Sequence, residues 1–215
     1  MVFFPGQVKT LHIFEPRYKD LLQTCIRTGS PFGIVLASQE GAPQGFLRPS
    51  TTGTLAHIFE VRRQPDDTYL IQIYGGERFK VAQFYDDATY LQASISAAPL
   101  SRKQSHQVDM LAIKVSSLLD EYLDALTAAS GIEFQVTNMP ETPEQLAFLT
   151  ADILQINHEQ KQSLLETESL PAIFRAEIGY LYSELDLMEW INNTIETPLN
   201  NLFIGPGPVD AVSLN

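Results

Sequence analysis

Short apolar runs separated by turn residues fill the first half of the chain, and helical spacing fills the second. Val8 to Phe14 reads as a strand. Pro16 then suits the first position of a helix, where a missing N–H is no loss. Tyr18, Leu21, Leu22, Cys25 and Ile26 follow at steps of three and four, and Gly29 supplies a stop. The pattern predicts one amphipathic helix over 16–28, its apolar stripe packed on the strands. Phe32 to Ala37 reads as a buried strand, followed by a loop with Gly41, Pro43, Gly45 and Pro49. From Thr54 to Arg63, Leu55, His57, Phe59 and Val61 share one face. Pro65-Asp66-Asp67-Thr68 has turn chemistry, and Tyr69 to Tyr74 returns as the hairpin partner. Gly75-Gly76 permits a bend or bulge before further strands over Arg78 to Phe84 and Tyr90 to Ala97. Val2-Phe3-Phe4 has the look of a strand end. Five or six such short strands with one helix predict a small, partly closed barrel, because closure hides strand edges.

The polar, proline-marked stretch from Ala98 to Ser105 separates this part from a helical one. Val108, Leu111, Ala112, Val115, Leu118, Leu119, Tyr122 and Leu126 form a long stripe that Gly131 ends. Thr142-Pro143-Glu144-Gln145 is a capping box ahead of Leu146, Leu149, Ile153 and Leu154. Asn157 caps a short helix through Leu165. A last helix runs from Pro171 to Trp190, with Ile173, Phe174, Ile178, Leu181, Leu185 and Met188 as its core side. The expected class is α+β: a barrel subdomain over 1–100, a helical bundle over 101–195 and an extended or mobile tail over 196–215.

Charge narrows the function classes. The 215 residues carry a net charge of -12. Such a surface repels phosphate backbones, and Arg62-Arg63 and Arg102-Lys103 are the only adjacent basic pairs. Nucleic acid is therefore not an expected partner. The one cysteine, Cys25, permits no intrachain disulfide, which fits a reducing compartment. No basic region with a following apolar run opens the chain, and no apolar run is long enough to span a bilayer. These features predict a cytoplasmic protein with no membrane partner.

Catalytic signatures are missing at the sequence level. No glycine is followed by lysine, so the phosphate-cradling Gly-x-x-x-x-Gly-Lys-Ser/Thr loop does not occur. His12, His57, His106 and His158 lie far apart without metal-ligand spacing, so neither metal nor cofactor is expected. Cys25 lies on an apolar stripe, where a thiol is a small buried apolar group rather than a nucleophile. His158-Glu159 suits the first turn of a helix, and Gly75-Gly76 lacks the strand–loop–helix setting of a nucleotide site.

The string Phe4-Pro5-Gly6, followed by Leu11-His12-Ile13-Phe14-Glu15-Pro16-Arg17-Tyr18, resembles the N-terminal, substrate-binding domain family of Lon proteases. Pro31 to Leu36, Gly53 to Ala56, Glu60 to Arg63 and Gly75-Gly76-Glu77-Arg78-Phe79-Lys80-Val81 fit the family's later strands. The Thr142 and Asn157 helix starts fit its helical half. The resemblance covers Phe3 to Leu187. It departs at the start, where the family has a longer strand before Phe-Pro-Gly, and after Asn193. It implies a PUA-like barrel followed by a helical bundle, and a role in binding polypeptide. A chain of this length holds no room for the ATPase and Ser-Lys protease parts, so the expectation is a stand-alone module that is not an enzyme.

Within the family motifs, Glu15, Arg17 and Arg78 are the charged members. They are candidates to hold peptide backbone at a polar edge; the alternative is a structural network tying helix to barrel. Phe3, Phe4 and Phe203 are candidates for gripping apolar segments, or else pack against the domain. The expected partners are unfolded or flexible polypeptides, with a protease or chaperone behind them. They would be held at the barrel–bundle junction or an exposed strand edge, with apolar side chains supplying affinity and unpaired backbone groups the register. An RNA-binding PUA-like protein and a small-molecule hydrolase are the rival readings.

Overall fold

The computed structural model describes residues 1–38, 48–102, 104–131 and 140–195. The turn residues Gly41, Pro43 and Gly45, and the tail with Phe203, lie outside the described residues. The element order is β1 (Val8–Ile13), α1 (Pro16–Thr28), β2 (Phe32–Ser38), β3 (Arg48–Arg63), β4 (Tyr69–Tyr85), β5 (Gln92–Ala97), α2 (His106–Ser130), α3 (Pro143–Ile153), α4 (His158–Glu166) and α5 (Leu170–Ile195). No helix among the described residues is long and apolar enough to cross a membrane.

β3 and β4 form the spine of an antiparallel sheet, turning at Pro65–Thr68, where Asp66 accepts from the backbone N–H and hydroxyl of Thr68. The strands expected over 69–74 and 78–84 are one strand, β4. At Gly75–Glu77 it bulges rather than breaks: β3 advances from Thr54 to Ala56 while β4 advances from Arg78 to Gly75. Gly75 is also where the N-terminal turn docks. Its N–H donates to the Gln7 carbonyl and its own carbonyl accepts from Gly6, both at 2.8 Å. A Cβ on Gly75 would run into the Phe4 carbonyl oxygen. β3 begins at Arg48, well before Thr54, so Pro49 is in a strand rather than a loop. It sits opposite Ala37, beyond a register shift in β2, an irregular place where a missing N–H is tolerated.

The barrel does not close. β4 carries β3 along one edge; along the other it carries β1 on residues Tyr69–Tyr74 and β5 on residues Phe79–Tyr85. β2 ends the sheet beyond β3, and among the described residues it pairs with nothing else. Closure would need β2 to meet β5, and the two remain unpaired. Every residue of β5 is exposed, so neither of its faces is covered.

Two apolar cores meet at the N-terminus. Val2-Phe3-Phe4 forms no strand; it is a buried connector. Successive side chains diverge, so Phe3 joins the sheet core with Leu22, Ala56, Ile71 and Ile73, while Val2 and Phe4 join the helical core. Phe4 stacks on Phe148 of α3 with ring centroids 6.2 Å apart. These phenylalanines therefore pack and grip nothing from outside. The Thr54 hydroxyl donates to the Phe3 carbonyl at 2.5 Å, and the Gln162 amide donates to the Thr52 carbonyl at 3.0 Å, across the junction. The helices start where their caps dictate. Thr142 with Gln145, and Asn157 with Gln160, each make a reciprocal capping box, and Ser105 caps α2. α2 and α5 pack lengthwise around Val115, Leu118, Leu119 and Tyr122 on one side and Ile173, Phe174 and Leu181 on the other.

Candidate functional site

The gap between β2 and β5 is a groove of about 1140 Å³. Leu22, Ile71 and Phe79 form its floor and belong to the buried core. Phe32 and Ile34 of β2 line one wall, and Ala93 and Ile95 of β5 the other. Phe14 and Tyr18, where β1 passes into α1, and Tyr85 and Leu91, around the β4–β5 connection, stand at the mouth. Large apolar side chains are normally the first to be hidden. Here Phe14, Leu91 and Ile95 are 59%, 52% and 45% exposed, and they lie along one concavity rather than scattered.

The three charged candidates separate. Glu15 and Arg17 lie at the groove mouth. Glu15 is the residue before α1, yet its side chain does not cap the helix. It holds Arg17 instead, with 2.8 Å from the guanidinium Nε and 2.6 Å from Nη2 to one carboxylate oxygen. That hydrogen bond and charge raise the Arg17 pKa above its ordinary value. The guanidinium also lies 5.4 Å from the Tyr18 ring centroid. Arg78 is elsewhere. On β4, opposite Thr54, it is only 4% exposed and points into the junction with the helices. One Nη donates to the Thr167 carbonyl just past α4 at 2.9 Å, and the guanidinium sits 6.0 Å from the Phe148 ring. Its Nε and other Nη find no hydrogen-bond partner among the described residues. Burial lowers its pKa, opposed by Glu144 and Glu168.

Little acid–base chemistry collects at the groove. Of its titratable lining groups, His12 pairs with the Thr68 hydroxyl at 2.8 Å and Glu15 is held by Arg17. Cys25 is buried, and burial pushes its thiol up, away from the reactive thiolate. It borders a smaller cavity of about 350 Å³ behind α1, where His57 stacks on Tyr74 at 4.8 Å. Among the described residues no three His, Cys, Asp or Glu side chains gather as a metal site would require. What the groove offers is apolar surface and strand edges.

The family model for the ATP-dependent protease La (LON) substrate-binding domain matches residues 1–181. The chain belongs to this family. Lon protease 2 of Myxococcus xanthus is 25% identical over 198 residues, which is 91% of this chain and 24% of that protein. The Lon protease of Anaeromyxobacter dehalogenans is 26% identical over 198 residues, 91% of this chain and 23% of that protein. The chain thus spans about a quarter of the length of the curated relatives it matches. Among solved structures, the N-terminal domain of the Mycobacterium avium complex Lon protease superposes with a TM-score of 0.66 at 18% identity, covering 85% of this chain and 93% of that one. A Lon N-terminal domain protein from Xanthomonas campestris gives 0.57 at 23%, covering 81% and 89%. These likenesses show the fold: the five strands and five helices of the described residues are arranged as in a Lon N-terminal domain.

Of the groove lining, sequence reasoning singled out Glu15 and Arg17 as candidates and missed the apolar rim. Tyr85 fell between the strands expected over 78–84 and 90–97, and Leu91 and Ile95 fell within the second of them, as parts of a partly closed barrel, so none of the three was singled out. One signal was available. In Gln92-Ala93-Ser94-Ile95-Ser96-Ala97 the face carrying Ala93, Ile95 and Ala97 holds a single large side chain, too little to fill a barrel interior.

Proposed function

We propose that this Lon substrate-binding domain holds unfolded or flexible polypeptide segments in the groove between β2 and β5, as a non-catalytic client-binding module of cytoplasmic protein quality control. It hands clients to a protease or shelters them as a chaperone does. The observation that carries the reading is the groove itself: about 1140 Å³, floored by core residues and rimmed by exposed Phe14, Tyr85, Leu91 and Ile95. A folded client would present few apolar side chains to it; an unfolded one presents many. Glu15 and Arg17 at the mouth supply polar contacts to a passing backbone, while Arg78 serves the fold.

The test is fluorescence anisotropy with a reduced, alkylated and permanently unfolded protein as client. Leu91→Ser with Ile95→Ser removes apolar contact from positions already half exposed, so folding is retained. At about 25 cal/mol per Å² of buried apolar area, losing two such contacts weakens binding by roughly tenfold or more. Unchanged client affinity in a variant with the parent's melting temperature refutes the groove as the site.

A further inference from the structure

The lining of the groove shows how a segment sits in it. Along a strand, successive side chains point to opposite faces, so a cavity beneath one face touches every second residue. This groove touches the consecutive runs Phe32–Val35 of β2 and Gln92–Ile95 of β5. It is lined by strand edges as well as strand faces. The edges are free: among the described residues β2 pairs only with β3, and β5 only with β4.

The backbone direction at β5 follows from the register. Ala98 N–H donates to the Arg78 carbonyl, and Ala97, Ser96 and Ile95 lie opposite Phe79, Lys80 and Val81 without a slip. Antiparallel ladders alternate bonded and non-bonded pairs. The Ile95 pair is therefore non-bonded, and its N–H and C=O face away from β4 along the free edge. Natural sheets blunt such edges with lysine, proline or inward charge. β1 carries Lys9, but β2 (Phe-Gly-Ile-Val-Leu-Ala-Ser) and β5 (Gln-Ala-Ser-Ile-Ser-Ala) hold no charge and no proline.

Charge selects the occupant. The chain carries -12 overall, and of the charged groove residues Arg17 is neutralised by Glu15, which leaves the Asp86 carboxylate. Acidic segments are repelled and basic ones steered in.

Resting on the groove reading above, the geometry points to a specific binding mode. An extended segment with apolar side chains and basic flanks enters as an added strand between β2 and β5, bonding by its backbone to both edges and completing the sheet. Its side chains on one face fill the interior over Phe79; its main chain sets the register.

The test uses the whole protein and a fluorescein-labelled ten-residue peptide of alternating valine and threonine with two lysines at each end. Methylating every second backbone nitrogen removes donors while keeping side chains, and is expected to weaken binding about tenfold or more through loss of several net hydrogen bonds. Exchanging the lysines for glutamates weakens binding about tenfold at roughly 20 mM salt, and the difference fades at roughly 500 mM. Ile95→Pro, which removes the edge donor but no bond to β4, binds less well than Ile95→Ala. Methylated peptide binding like its parent overturns the added strand, whatever the proline variant does. Loss of the lysine preference overturns the charge selection. Absence of all binding by peptide and unfolded protein alike is a different result: it takes down the groove reading itself.

Discussion

Glu177 lies in the first third of α5 with no exposure, and among the described residues neither carboxylate oxygen has a hydrogen-bond partner. Burial pushes its carboxyl well above the ordinary value of 4.5. The folded protein therefore keeps the proton over a pH span in which the unfolded chain releases it. The sign follows: the unfolded state binds fewer protons there, so stability falls as pH rises from the unfolded value toward the raised one. The slope for one proton is about 1.4 kcal/mol per pH unit. Glu177→Met keeps the length of the side chain and removes both orphan oxygens, each of which costs about 1–3 kcal/mol when buried unpaired. A gain of about 2–4 kcal/mol at pH 7 is expected. For a body of this size that raises the melting temperature by roughly 5–10 °C. Glu177→Gln separates the two contributions, since it abolishes ionisation but keeps polar atoms in the core. It flattens the pH dependence without the full gain at pH 5. Thermal unfolding by circular dichroism at pH 5, 6, 7 and 8 reads all three proteins. A Met variant no more stable than the parent at pH 7, or a Gln variant with the parent's pH slope, refutes the reasoning.

Three further outcomes follow from the junction and the groove mouth. Gly75→Ala drives a methyl group into the Phe4 carbonyl oxygen, and the N-terminal turn has to lift off β4. The urea midpoint should fall by an amount equivalent to about 2 kcal/mol or more, and an unchanged midpoint would contradict the docking. Arg78→Ala removes the bond to the Thr167 carbonyl and the packing on Phe148, at a cost of about 2–4 kcal/mol. Arg17→Ala, at the exposed groove mouth, leaves the midpoint where it was. The reverse order of effects in the two arginine variants would show that their structural and surface roles have been exchanged.

Local chemistry carried most of the elements. Pro16 and Gly29 bracket α1, with Gly29 at φ 67°, and Gly131 at φ 69° ends α2. The capping boxes at Thr142 and Asn157 start α3 and α4 where their residue types require. Each signal lies within four residues of the feature it specifies. What escaped depends on partners far along the chain. Pro49 looks like a loop residue until the shifted register of β2 supplies an edge that tolerates it. Gly75-Gly76 looks like a break between strands until Gln7 and Gly6 bond across it. Arg78 shares a motif with apolar neighbours, but its partner, the Thr167 carbonyl, is 89 residues away. Glu177 was open to detection: it follows Ile173 and Phe174 and precedes Leu181 at helical steps, so it falls on the buried stripe.

The open seam has a physical cause in the strand that borders it. Pairing β2 with β5 would add a few backbone hydrogen bonds, each with a net worth of about 0.5–1.5 kcal/mol. A closed wall must also fill its interior with side chains, and the Ala93, Ile95, Ala97 face of β5 supplies only one large one. Closure would therefore enclose a void above Phe79 and Ile71, and voids are destabilising in proportion to their volume. With the contributions so nearly opposed, the seam stays open and two uncharged edges remain unpaired beside an apolar floor. An added segment removes the conflict by bringing its own side chains to the interior and its own backbone to the edges. The same argument sets a limit on engineering: Ala93→Leu with Ala97→Leu, by filling the interior from within, should weaken client binding while raising thermal stability, and an increase in both would mean that the seam is held open by something other than its missing volume.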